Sequence, residues 1–228
     1  MKTTLVLATR NAHKVEEIRA ILGAKFEYLS LKDFPEEPAV VEDAKTFAGN
    51  ATKKSVGAAW FIGRNERGLS LPGITFVLAD DSGLEVDALN GAPGVHSARF
   101  AALDGGKEGN SPDAENRAKL LRLLKDVPAK NRTARFRCVL ALTPVLSANP
   151  KTASPVCLAD EAELQTELFE GTCEGTIGFS EKGEGGFGYD SLFVPAGYEQ
   201  TFGQMNPVMK NHLSHRAQAL RKLAQKMG

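Results

Sequence analysis

An α/β fold is what the sequence predicts, and three observations carry it. The apolar run TTLVLA (3–8) passes through a polar turn into a helical repeat, and strand-type runs then alternate with helical ones along the chain. The third is composition: 42% hydrophobic and 25% charged residues over 228 residues is ordinary for a globular protein. A chain of this length buries roughly 70% of the surface its unfolded form exposes, so it needs no disulfide, metal staple or partner to hold a core. The 28 Lys and Arg balance 28 Asp and Glu. That balance argues against a nucleic-acid coat or a membrane-surface binder, both of which depend on a sustained basic excess. Any anion must be met by local charge. The opening MKTTLVLATRN lacks a signal-peptide core, and no stretch approaches the ~18 apolar residues of a membrane span, so a cytoplasmic location is expected.

The elements follow in order. After the first strand, Asn11 is a reasonable N-cap for a helix whose Val15, Ile18, Ile21 and Leu22 recur at helical spacing until Gly23. A second helix is expected over 44–60, with Phe47, Ala51 and Ala58 on a face where Asn50 and Lys54 are neighbours; residues 61–73 read as a loop. TFVLA (75–79) predicts a strand and Asp80 to Gly83 a turn at its carboxyl end, where open α/β sheets place ligands. LEVDAL (84–89) predicts another strand, and Asn90 to Gly94 a turn. Ser111 and Pro112 announce a helix carrying Ala118, Leu121 and Leu124. Residues 132–143 alternate, with Ala134, Phe136, Cys138, Leu140 and Leu142 on one face. The 144–170 stretch is less regular and turns acidic from Asp160. A glycine-rich segment (183–190) precedes the strand SLFVP, and a last helix starts at Ser214 with Ala217, Leu220, Ala224 and Met227 in phase. No repeat or linker separates independent parts, so residues 1–228 are expected to form a single domain. Cys138, Cys157 and Cys173 show no C-x-x-C spacing and read as structural, Cys138 as a core residue.

Several residues are suited to chemistry. Gly183-x-Gly185-x-x-Gly188 matches a dinucleotide fingerprint literally, but a strand follows it where a helix is required, and GNATKKS (49–55) lacks the second glycine of a Walker A loop. Glu42, Asp80 and Asp81 are the carboxylate type magnesium prefers; from spacing alone the Asp-Asp-Ser-Gly tetrad reads equally as a strand-ending turn. Thr9, Asn11 and Lys14 line a loop and first helical turn, where free N–H groups and the dipole favour a phosphate, or simply cap the helix. The last helix has His215 and Arg216 in its first turn and Lys210 just before, against the dipole, and a local rule broken this way points to a functional site. Phe187 and Tyr189, framed by glycines, offer either a stacking face or a core anchor, and Asp190 an acceptor.

Six ordered blocks, LATRNAHKVEEI (7–18), TFAGNATKKS (46–55), ADDSGLEVDALNGAPGVHSARF (79–100), ARFRCVLAL (134–142), GGFGYDSLFVP (185–195) and LSHRAQAL (213–220), closely resemble the inosine triphosphate pyrophosphatase family. The departures are two longer stretches, around 61–74 and 144–170, which lie between the motifs. The resemblance implies an elongated, mixed α/β central sheet with flanking helices, two lobes enclosing a nucleotide cleft, and a homodimer. It also implies magnesium-dependent hydrolysis of ITP, dITP and XTP to the monophosphate and pyrophosphate, with the nucleotide as partner rather than nucleic acid or membrane. Carried over by motif, Thr9, Arg10, Asn11, Ala12, His13 and Lys14 would form the substrate loop, Lys54 would contact phosphate, and Glu42 and Asp81 would serve the metal. Glu42 rests on the segment VVEDAKTF, where Asp43 is an adjacent alternative. Asp81 would also accept the proton of the attacking water, with Ser82 beside it on the substrate. Phe187, Gly188, Tyr189, Asp190, Lys210, His215 and Arg216 would surround the base, where Lys210 and Arg216 suit the 6-keto acceptor of hypoxanthine or xanthine. Two other readings are a pyrophosphatase for pyrimidine or modified nucleotides, as in the septum-inhibitor-type family, and a non-catalytic nucleotide-binding module.

Overall fold

In the computed structural model, which describes residues 2–64, 71, 73–106, 109–146 and 161–228, six strands form one sheet. They are β1 (Thr4–Leu7), β2 (Glu27–Ser30), β3 (Thr75–Val86), β4 (Thr133–Pro144), β5 (Glu167–Ile177) and β6 (Phe193–Pro195), in the order β2-β1-β3-β4-β5-β6. β1 is parallel to both β2 and β3, whereas β5 and β6 are antiparallel, so the sheet is mixed. The main helices are α1 (Ala12–Leu22), α2 (Phe47–Ile62), α3 (Asp113–Leu123), α4 (Pro207–Leu213) and α5 (His215–Lys226).

Local chemistry explains most of these boundaries. Asn11 caps α1 by accepting from Lys14 N, and Thr46 caps α2 by accepting from Gly49 N, so α2 starts later than its apolar pattern suggests. Phe47, Ala51 and Ala58 are buried on α2 as expected, together with Asn50. β4 buries Ala134, Phe136 and Cys138 alternately and then becomes continuously buried from Val139 to Thr143.

Three features differ from the sequence reading. The expected turn at Asp80–Gly83 does not exist; β3 runs unbroken from Thr75 to Val86. Asp, Ser and Gly favour turns when solvated, but here Asp80 and Asp81 are both buried and paired with lysines, so the carboxylates stay inside the strand. On α3 the buried positions are Asn116, Lys119 and Leu120, while Ala118 is exposed. This face is polar because it satisfies backbone: Asn116 accepts from Ala101 N at 2.8 Å and Lys119 donates to Phe100 O at 2.7 Å. β2, β5 and α4 were not legible as elements. β5 buries Phe169, Gly171 and Cys173 in alternation, a period masked by its glutamates and glycines. Of the two longer stretches, residues 65–70, 72 and 147–160 lie outside the described residues, and Cys157 with them.

The chain divides into two compact units, Met1–Asp81 with Val139–Glu170 and Ala219–Gly228, and Ser82–Cys138 with Gly171–Gln218. Neither unit is a continuous segment, and β3, β4 and β5 each contribute residues to both. In the first unit Val6, Ala8, Val77 and Ala79 pack with Ala58, Ala59 and Ile62 of α2. The core of the second holds Phe136, Phe193 and Phe202, with the Phe136 and Phe193 rings 4.7 Å apart. Arg132 is 2% exposed there and donates to the carbonyls of Val127, Gly178 and Leu124 at 3.0, 2.8 and 2.6 Å. One guanidinium thereby satisfies three carbonyls, and Arg132→Met is expected to lower the unfolding free energy by about 3 kcal/mol in chemical denaturation.

Candidate active site

Consecutive strand residues point to opposite faces, and the two adjacent aspartate side chains of β3 bond to different lysines. The first unit supplies both. Lys14, in the first turns of α1, forms an ion pair with Asp80. Lys54, on α2, donates to Asp81 at 2.9 Å, to Glu42 at 3.2 Å and to the Asp80 carbonyl at 3.0 Å. The Glu42 and Asp81 carboxyls also lie within hydrogen-bonding reach of one another. Burial is the main influence raising the Asp81 pKa, and the Glu42 charge adds to it against Lys54 and Lys14. Burial also pushes Glu42 up, but the charge and hydrogen bond of Lys54, the Asp81 hydrogen bond and Lys14 together hold it below the ordinary value. Lys54 is desolvated, which lowers its pKa, yet Asp81, Glu42 and Asp80 outweigh that and hold it raised and charged.

Asn50, which the sequence reading did not place in the site, donates to Asp81 Oδ2 at 3.4 Å and accepts from Ala44 N at 2.9 Å. It ties the chain just after Glu42 to Asp81. The signal was present in its position one turn from Lys54. Asp43, the alternative to Glu42, pairs instead with Lys53 at the surface. Thr9 Oγ1 accepts from Asn11 N at 3.2 Å, shaping the loop ahead of α1. Ala12 and His13 are exposed in the first turn of α1. Arg10 turns to Glu37, donating to its carbonyl at 3.1 Å, with the carboxylate at 3.6 Å.

The second unit assembles a different group. Phe187 is half-buried, and its ring lies 5.0 Å from Lys210 Nζ and 5.8 Å from the Arg216 guanidinium. Lys210 donates to Asp190 at 2.7 Å, and the same carboxylate accepts from Phe187 N at 2.9 Å. Gly186 is required by this closure: φ is +77°, and a Cβ there would lie 2.1 Å from the Asp190 carboxylate. Arg216, 1% exposed, reaches Ser82 Oγ at 3.5 Å. Two expected base-contacting residues have another place. Tyr189 is 4% exposed within the core and donates to Ser97 O at 2.9 Å, the anchoring role that a glycine-framed aromatic also permits. Burial pushes its phenol well above the usual range. His215 stacks on Phe136 with ring centroids 4.8 Å apart, so packing holds this basic residue at the start of α5. Cys173 is buried and its thiol pushed up to about 11, which leaves it protonated and structural.

A mixed α/β sheet with a lysine-bridged carboxyl pair beside one strand, and an aromatic ring flanked by two cations, defines a class of protein suited to phosphoanhydride chemistry on a ring-bearing substrate. The chain belongs to the Ham1 family, whose model matches residues 5–226. It is 45% identical to a dITP/XTP pyrophosphatase of Desulforamulus reducens, over 96% of this chain and 92% of that protein. It is 43% identical to that of Mannheimia succiniciproducens over the full length of both. Among solved structures it resembles a HAM1 protein from Coxiella burnetii, with a TM-score of 0.75 and 32% identity over 100% and 98% of the two chains. The Staphylococcus aureus Ham1 protein gives 0.73 and 31% over 98% and 97%.

Tyr189→Phe is expected to lower the unfolding free energy by about 1–2 kcal/mol, since it orphans the buried Ser97 carbonyl. It should leave nucleotide KM unchanged in steady-state assays.

Proposed function

We propose that the chain hydrolyses inosine-, deoxyinosine- and xanthosine-type nucleoside triphosphates to the monophosphate and pyrophosphate. The observation that carries this reading is Lys54, which holds the Asp81 and Glu42 carboxyls together through bonds of 2.9 and 3.2 Å. The names of the full-length relatives, dITP/XTP pyrophosphatases, support the same substrate class. Residues 1–228 are taken as a single functional domain, a reading supported by one family model matching residues 5–226. We further propose a homodimer, in keeping with the family the motifs resemble, and the cytoplasm, which holds the nucleoside triphosphate pool. Among the described residues no helix is long and apolar enough to cross a membrane.

Two carboxyls gathered on one ammonium group present hard oxygens to the same point, a donor set that suits magnesium. Glu42 and Asp81 would hold the ion, which supplies charge neutralisation and polarisation of the reacting phosphorus. Lys14 and Lys54 bind the triphosphate oxygens and hold the chain in line for displacement. Asp81 takes the proton from the attacking water at a carboxylate oxygen, and attack at the α-phosphorus expels pyrophosphate without a covalent enzyme intermediate. Phe187 offers a stacking face, and Lys210 and Arg216 offer N–H donors to the 6-keto oxygen. Adenine presents an amino donor there, leaving buried donors unmatched at a cost of several kcal/mol.

Incubation of XTP or dITP with magnesium should yield the monophosphate and pyrophosphate by anion-exchange chromatography. A diphosphate with orthophosphate would refute the cleavage position, and absence of turnover the activity. Asp81→Asn should lower kcat by at least about 100-fold. Arg216→Met should raise KM for XTP and narrow its advantage over ATP; unchanged discrimination would remove Arg216 from base recognition.

A further inference from the structure

Phe187 sits in a turn that has little of its own to hold it. Gly186 and Gly188 on either side both have positive φ, +77° and +61°, and glycine is the residue with the most backbone freedom to lose. The Asp190 carboxylate closes the turn from within, but the peptide between Phe187 and Gly188 sets the direction in which the ring leaves the backbone. Both ends of Gly188 are gripped from outside by α3. Gly188 N donates to Asp113 Oδ2 at 2.7 Å, and Gly188 O accepts from Arg117 Nη1 at 3.0 Å. Asp113 and Arg117 are four residues apart, hence neighbours on one face of the helix. Arg117 is held in turn: its Nε donates to Glu181 at 2.8 Å, and Ser191 Oγ donates to the same carboxylate oxygen at 3.2 Å. Neither Asp113 nor Arg117 touches Phe187, Lys210 or Arg216 through any of these bonds, yet Asp113 fixes the peptide that follows Phe187 and Arg117 the one after it.

We propose that Asp113 and Arg117 are positioning residues for base recognition, a two-point clamp on Gly188 that fixes the Phe187 ring against its flanking cations. This rests on the reading that Phe187, Lys210 and Arg216 meet the purine. The clamp is aimed at binding and not at the proton transfer assigned to Asp81, so its loss belongs in KM and in base discrimination. Two charge-assisted hydrogen bonds to one mobile glycine are enough to move KM by about tenfold.

The test uses the full chain with XTP, dITP and ATP in magnesium. Asp113→Ala and Arg117→Met should each raise KM for XTP and dITP by about tenfold, leave kcat within about twofold, and narrow the preference over ATP. Asp113→Asn and Arg117→Lys, which keep an acceptor for Gly188 N and a donor for Gly188 O, should recover most of the KM. Asp113 also opens α3 with an acid that suits the helix dipole, so Glu115→Ala is the control. It removes an exposed acid from the same first turn, and should shift the melting temperature as Asp113→Ala does without moving KM. A wild-type chain that turns over XTP while Asp113→Ala and Arg117→Met keep its KM and discrimination would overturn the clamp alone. An equal KM rise in Glu115→Ala would also overturn it, by showing a general helix effect. A wild-type chain inactive on every purine triphosphate would overturn the functional reading beneath it.

Discussion

Lys54 is the side chain on which the first unit's chemistry turns. Its ammonium group donates to Asp81, Glu42 and the Asp80 carbonyl, and without it two carboxyls in contact would lose the nearest offset to their repulsion and desolvation. Around that point the neighbouring contacts fall into order. Lys14 answers Asp80 on the other side of the strand, Asn50 bridges Asp81 to the chain after Glu42, and α1 and α2 take their places with capping residues that fix where each lysine begins its reach. Burial and the Glu42 charge raise Asp81, and Lys54 works against both.

The second unit solves another problem, holding a single aromatic ring in a segment rich in glycine. Asp190 closes the turn on itself, Tyr189 anchors it in the core, and α3 holds Gly188 from both ends. Conformational freedom is removed by hydrogen bonds to backbone instead of by side-chain bulk, which keeps one face of Phe187 available to a flat ligand. Lys210 and Arg216 beside that ring are almost fully buried, and Lys210 is paired with Asp190.

Much of this was legible in the chain. The first strand, the Asn11 cap, the α2 face, the alternation of β4 and the last helix followed from periodicity, because each buries apolar side chains in a regular phase. Asp80 and Asp81 stand out in the sequence as candidate carboxylates, but the turn expected there does not form, since the lysines that keep them in a strand come from residues 14 and 54. The polar face of α3 was invisible for a related reason: Asn116 and Lys119 are buried to satisfy distant carbonyls and amides, and hydropathy scores them as surface. Tyr189 and His215 carried the right motif and proved to be packing residues at the border of the site.

The sequence by itself determined the mixed α/β class, the family, and the candidate residues for a triphosphate and a purine, because motif order and apolar period are local properties. Tertiary structure alone decided which carboxylate each lysine answers, which carboxyl burial raises, and which aromatic of the glycine-rich turn is left half-buried. Those outcomes depend on distances between residues tens of positions apart, and on burial, which changes the strength of every charge it encloses.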